Sequence, residues 1–207
     1  MMKKRLTSLA LSAMMVLSMV PATAFAAKDA GTPPTYNSAT GCYEISTPAQ
    51  LLYLAGKWKD GAPRDGHYVL TADIDMTGVK GFKPIASKKA EGFTGTFDGQ
   101  FHSIKGLRIE YEKKYAGLFG YVGNQDDQAY IKNVALLDCY VTGQQNVGAL
   151  AGVNYGTITD CVVTGEVKCL DLSNSHTAGG ICGKLKEGEG PIVGHVEDCY
   201  INADVSA

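Results

Sequence analysis

Four residues in the first half of the chain, Asp73, Asp75, Asp98 and His102, form its most enzyme-like group. Carboxylates beside a groove can bind Ca2+ or serve a polysaccharide lyase or hydrolase. The same residues have a plainer explanation. Asp98-Gly99 is a turn dipeptide, and Asp73 and Asp75 flank Ile74, which is expected to be buried. The turn explanation is preferred, so no catalytic, cofactor-binding or metal-binding residue is assigned. The sequence holds no G-x-S-x-G and no P-loop.

Cysteine and tyrosine are the other candidates. Cys42, Cys139, Cys161, Cys169, Cys182 and Cys199 include no C-x-x-C pair, which argues against zinc. Cys161 and Cys199 fall at equivalent repeat positions, where parallel stacking opposes the right-angled disulfide torsion. They are expected to act as small buried hydrophobes. Cys169 and Cys182, flanking the Asp171 to Thr177 loop, are the first pair to test for a disulfide. Tyr111, Tyr115, Tyr121, Tyr130, Tyr140, Tyr155 and Tyr200, with Trp58, could stack against sugars. An aromatic ladder that stabilises the fold without a ligand is the preferred explanation.

These residues need elements to hold them. Met1 to Ala26 has the parts of a secretory signal: Lys3, Lys4 and Arg5, an apolar stretch from Leu6 to Val20, and Ala24-Phe25-Ala26 as cleavage site. Residues 27–40 are rich in Pro, Ser, Thr and Gly and read as a flexible linker. One convincing helix follows. Thr47 and Gln50 form a capping box, Pro48 takes the first helical position, and Leu51, Leu54, Ala55 and Trp58 share a face ending near Asp60-Gly61. Short β segments then run through Tyr68 to Leu70, Ile74 to Met76, Phe93 to Phe97 and Ile104 to Tyr111. In the last, Leu107, Ile109 and Tyr111 alternate with Arg108, Glu110 and Glu112, giving one wet face.

From Tyr115 onward the chain repeats. Ala116 to Gly120, Gly148 to Gly152 and Gly179 to Gly183 align, with final glycines 32 and 31 positions apart. Each block is followed by a second signature: Ile131 to Val134, Ile158 to Cys161, then Val196 to Cys199. No segment there keeps a helical period, and the signatures are too slight for propeller blades. A parallel β-helix fits, in which equivalent side chains stack at one strand spacing. Asn133, Asp160 and Asp198 are expected at one corner, in left-handed φ. Ile158 and Cys161 are both expected to face inward across that bend. Gly120, Gly152 and Gly183 are expected at a second corner needing φ > 0. Glycine at 25 of 207 residues, above the usual level of roughly 7%, agrees with a chain that turns often.

The run from Gly148 to Val167 resembles the GLUG motif. That repeat occurs in bacterial surface proteins, including adhesin-like chains and the non-catalytic region of immunoglobulin-A metallopeptidases. The upstream residues resemble the segment that precedes such repeats: the Ser46 to Leu51 helix start, Leu70 to Asp75, Phe93 to Gly99 and Gly117 to Gly120. The resemblance implies an all-β, right-handed parallel β-helix with a short N-terminal capping helix. Residues 41–112 would form the cap and first turns, and residues 113–207 the GLUG-like repeats, incomplete at the C-terminus. The third repeat departs from the pattern over Lys184 to Gly190, where a longer loop should protrude. No H-E-x-x-H is present, so the peptidase activity of some relatives has no zinc site here.

The formal net charge is −2, and loss of the signal would make the chain more acidic. Charge-driven binding of nucleic acid or anionic lipid is therefore not expected, nor is membrane insertion after signal cleavage. The expectation is a secreted or cell-surface bacterial module for adhesion or display, without catalysis, binding glycan or a host surface protein. The alternatives are a carbohydrate-active β-helix enzyme, the N-terminal part of a larger surface peptidase, or a purely structural stalk. Val205 falls in mid-repeat, so a downstream domain or self-association is expected to cover an open end.

Overall fold

The computed structural model describes residues 31–56, 62–171, 177–186 and 193–207. The expected signal sequence, Trp58, the expected helix end at Asp60-Gly61 and most of the loops expected at Asp171 to Thr177 and Lys184 to Gly190 lie outside them. The protein is mostly β, with three sheets built almost wholly of parallel ladders.

The first sheet stacks β1 (Thr35–Asn37), β2 (Cys42–Ile45), β3 (His67–Leu70), β5 (Thr96–Asp98), β9 (Tyr130–Lys132), β12 (Thr157–Thr159) and β16 (His195–Glu197) in chain order. Among the described residues only β1 pairs antiparallel, with β2. The second orders β4 (Ile74–Asp75), β6 (Ser103–Lys105), β10 (Ala135–Gly148), β13 (Val162–Cys169) and β17 (Tyr200–Ser206). The long β10 also pairs β7 (Arg108–Ala116) and β14 (Ala178–Gly179). The third holds β8 (Phe119–Val122), β11 (Ala151–Asn154) and β15 (Cys182–Leu185).

Register stacks like on like. In the first sheet Tyr68, Phe97, Ile131 and Ile158 are successive Cα partners, and all are fully buried. In the second, Ile74, Ile104, Leu136 and Val163 form the matching column, all at most 1% exposed. The third sheet contributes Phe119 and Ala151, also partners and fully buried. Each such aliphatic side chain contributes roughly 1.5–3 kcal/mol on leaving water. Aromatic contacts tie the early levels together: Tyr43 stacks on Tyr68 at 5.1 Å, and Phe93 meets Phe119 at 5.0 Å.

The helix α1 (Pro48–Gly56) packs Leu51 and Leu54 into the same core as Ile45 and Leu70. Its cap differs by one residue from the expected box. Gln50 N–H donates to Thr47 Oγ1 at 3.3 Å, but the Gln50 side chain reaches the Ser46 N–H, at 2.8 Å. The segment expected as one strand from Ile104 to Tyr111 is two strands, β6 and β7. Gly106, at φ 67°, breaks it, because the backbone must turn there to move from one ladder to the next. Beyond the break, Leu107 and Ile109 are buried while Arg108, Glu110 and Glu112 are exposed, as alternation requires. Phe93 joins the sheets only through an isolated bridge to Val122, and the expected strand at Phe93 to Phe97 begins at Thr96.

The polar corner has the expected form. Asn133, Asp160 and Asp198 have φ of 55°, 51° and 48°, and Ile158 and Cys161 both lie fully buried on either side of the bend. The glycine corner does not. Gly120, Gly152 and Gly183 sit inside β8, β11 and β15, outside the left-handed region. Glycine is required there by close approach. A Cβ on Gly152 would stand 2.6 Å from Tyr115 C and Cα, and one on Gly183 2.3 Å from Asn146 C.

Candidate functional site

The expected carboxylate group is dispersed among turns. Asp75 Oδ1 accepts from the Thr77 N–H at 2.9 Å. Asp73 Oδ1 accepts from the Ser103 N–H at 2.7 Å and lies 3.4 Å from His102 Nδ1. Asp98 Oδ1 accepts from the Gln100 N–H at 2.8 Å and from Asn133 Nδ2 at 2.9 Å, while its Oδ2 lies 3.3 Å from Lys132 Nζ. Burial pushes the Asp98 carboxyl up, but the bonds from Asn133, Gln100 and Lys132 outweigh it and hold it below the ordinary value. The Ser103 N–H holds Asp73 low, and the Thr77 side chain and N–H hold Asp75 low. A carboxylate held ionised by local donors fastens a corner; it is a poor proton donor. Among the described residues no three His, Cys, Asp or Glu side chains converge as a metal site.

The tyrosines divide sharply. Tyr121 and Tyr155 are buried with Val153 in a small second core, against which Tyr115 packs. Tyr140 is covered: the Arg108 guanidinium lies 4.1 Å above its ring and Lys168 Nζ lies 5.8 Å from it. Arg108 and Lys168 are themselves paired to Glu110 and Glu166. Tyr111 is half-buried against the main core. Tyr130 and Tyr200 remain, 47% and 60% exposed.

Tyr130 has a built setting. Because Phe97, Ile131 and Ile158 point inward, the preceding residue of each strand points outward. That outer column runs His67, Thr96, Tyr130, Thr157, His195. The Tyr130 ring therefore stands between two short threonines, about 4.8 Å away on either side. Its O–H donates to Gln128 Oε1 at 3.2 Å. Gln128 belongs to an open cleft of about 510 Å3, lined with Arg64, Asp65, Thr94, Asp126 and Asp127. These residues come from the segments entering β3, β5 and β9, so stacking places three distant stretches side by side. Arg64 Nη1 donates to Ala90 O at 3.1 Å, and Asn124 Oδ1 accepts from the Asp126 and Asp127 N–H groups. An exposed ring beside carboxylate, amide and guanidinium groups offers an apolar face and hydrogen bonds together, which is what a hydroxylated ring needs. In the sequence Tyr130 is one of seven candidate tyrosines, and nothing there points to the cleft.

The cysteines also separate differently from expectation. Cys139, Cys161 and Cys169 are buried, as small hydrophobes would be. Cys169 Sγ lies 3.2 Å from Gln144 O and 3.6 Å from Asp171 O. All six cysteines are free thiols in the structure, so Cys169 and Cys182, the first pair to test, are not joined in it.

These features define a mostly-β repeat protein whose outer face, among the described residues, carries exposed polar chemistry. Residues 143–168 match the GLUG motif, and the chain carries that motif. It is 33% identical to halomucin of Haloquadratum walsbyi over 151 residues, 68% of this chain and 2% of that protein. It is also 33% identical to a protein of Evansella cellulosilytica described as a Gly-rich membrane protein, over 58% of this chain and 14% of that one. The chain thus spans a small part of each relative. A crystal structure described as an immunoglobulin A1 protease from Bacteroides ovatus superposes with a TM-score of 0.64 at 22% identity, covering 85% of this chain and 51% of that one. That likeness concerns the fold. No helix among the described residues is long and apolar enough to cross a membrane.

Proposed function

We propose that the protein is a secreted or cell-surface adhesion module, a right-handed parallel β-helix with α1 as its N-terminal cap, which binds glycan without catalysis. Tyr130 carries this reading: an exposed ring between Thr96 and Thr157, with its hydroxyl tied to a polar cleft. Three ladders that add strands in chain order support the β-helix, and relatives named halomucin and a Gly-rich membrane protein support the surface location. Three aspartates against one arginine in the cleft favour neutral sugars over uronic or sialic acids.

The test is calorimetric titration with soluble neutral oligosaccharides, polygalacturonate and sialyllactose. Saturable binding of a neutral glycan, lost in Tyr130→Ala and in the Asp126→Asn/Asp127→Asn pair, is expected. Heat with none of the neutral probes, or binding unaltered by both variants, would overturn the glycan reading. The competing enzyme reading rests on Asp98 and His102. Release of reducing ends from a polysaccharide, abolished by Asp98→Asn and His102→Ala, would establish it instead.

A further inference from the structure

Cys161 and Cys199 occupy the same place on neighbouring levels of the structure. Each follows a left-handed corner residue, Asp160 and Asp198, and each lies between strands rather than within one. The Tyr200 N–H donates to Cys161 O at 2.8 Å, and the next residues, Val162 and Tyr200, are Cα partners. Both side chains turn inward: Cys161 is fully buried and Cys199 packs against the main core, with Cys161 Sγ 3.1 Å from Thr159 O and Cys199 Sγ 3.8 Å from Ile158 O, on the Cys161 level. Adjacent strands about 4.8 Å apart bring the Cα atoms into the range a disulfide spans, roughly 4.4–6.8 Å. Like backbones at the two corners hold the Cβ atoms near parallel, so the bond forms with the two side chains in different χ1 rotamers. The level carrying Cys199 is also the least covered: Tyr200, Ile201 and Val205 are 60%, 45% and 44% exposed.

We infer that Cys161 and Cys199 form a disulfide site that locks β16 and β17 onto β12 and β13 when the protein meets a low-molecular-weight disulfide. Cys199 is partly accessible and Cys161 is fully buried, which sets the order of attack. The Cys199 thiolate attacks one sulfur of R–S–S–R, forming a mixed disulfide and expelling R–S−. The Cys161 thiolate then attacks the Cys199 sulfur and expels the second R–S−. The two protein thiols lose two protons and two electrons, and R–S–S–R becomes two R–SH. Burial pushes the Cys161 thiol up to about 12 and raises that of Cys199 as well, so locking quickens as pH rises. The other buried cysteines have different surroundings: Cys139 faces Gly165 across the ladder, and Cys169 points at Gln144 O.

The experiment is to incubate the reduced full chain with oxidised glutathione at mildly alkaline pH, then map non-reduced peptides and measure Tm. A peptide linking Cys161 to Cys199 is expected, with a rise in Tm that dithiothreitol reverses. Cys199→Ala should remove both the linked peptide and the rise, while Cys169→Ala should keep both. Full alkylation of Cys161 and Cys199 after oxidation would overturn the inference, as would a peptide joining Cys182 to Cys199.

Discussion

Asn133 Nδ2 donates to Asp98 Oδ1 at 2.9 Å, joining the corner after β5 to the corner after β9. The bond links two residues 35 positions apart in the chain, and it explains why an amide follows a strand at one level and a carboxylate ends the strand before it. Asn133 is also in left-handed φ, so one residue both turns the chain and fastens two levels.

Asn133→Ala should therefore cost about 1–2 kcal/mol for the backbone alone, with the lost bond in addition. Asn133→Gly should cost less, because glycine accepts the φ and forfeits only the bond. Urea unfolding of both variants checks the order. Equal losses would mean that the bond, not the backbone, carries the corner.

Gly152→Ala tests the close approach that replaces the expected glycine corner. The added Cβ meets the Tyr115 backbone at 2.6 Å, which cannot swing aside like a side chain. Overpacking of this kind costs about 1–3 kcal/mol. An unchanged denaturation midpoint would show that β11 and the Tyr115 backbone have room to separate.

Neighbouring residues on one strand should behave in opposite ways. Ile131→Ala empties a fully buried position and should lose about 2–5 kcal/mol of stability. Tyr130→Ala removes a side chain from the outer face and should stay within about 0.5 kcal/mol of the parent. Paired thermal melts of the two variants establish which face each occupies, independently of any ligand.

Acid should destabilise the protein through its corners. Asp73, Asp75 and Asp98 are held below their ordinary value of 3.8 in the folded state. A depressed folded value means that the unfolded chain takes up protons first. Stability from these groups is thus present above pH 3.8 and is lost as pH falls through the lower folded values. Asp98→Asn should leave a shallower loss of the urea midpoint below that pH. An identical slope in both proteins would assign the acid sensitivity to other carboxylates.

The sequence was most legible where one residue type has one physical use. Asp and Asn after a short strand announced left-handed corners, and Ile158 and Cys161 were expected to face inward across the bend, and both were found. Glycine was harder to read because it serves two ends. At Gly106 it turns the chain, whereas at Gly152 it lets two backbones touch, and the letters alone do not distinguish these uses. The cleft was invisible for another reason. Arg64, Thr94 and Asp126 become neighbours only once three strands stack in register, and nothing local to any of them reports the others. Tyr130 and Tyr140 looked alike until packing covered one with Arg108 and left the other bare.

The matching register has a bearing on how such chains lengthen. Ile158 is the partner of Ile131 on one side and of Val196 on the other, so at this column three successive levels present an aliphatic side chain to each other. A gene segment encoding one level could be copied or deleted by unequal recombination, and the new neighbours would still meet aliphatic to aliphatic and corner to corner. Length can therefore change across generations without a new core having to be invented, while the outward residues of each copy remain free to diverge.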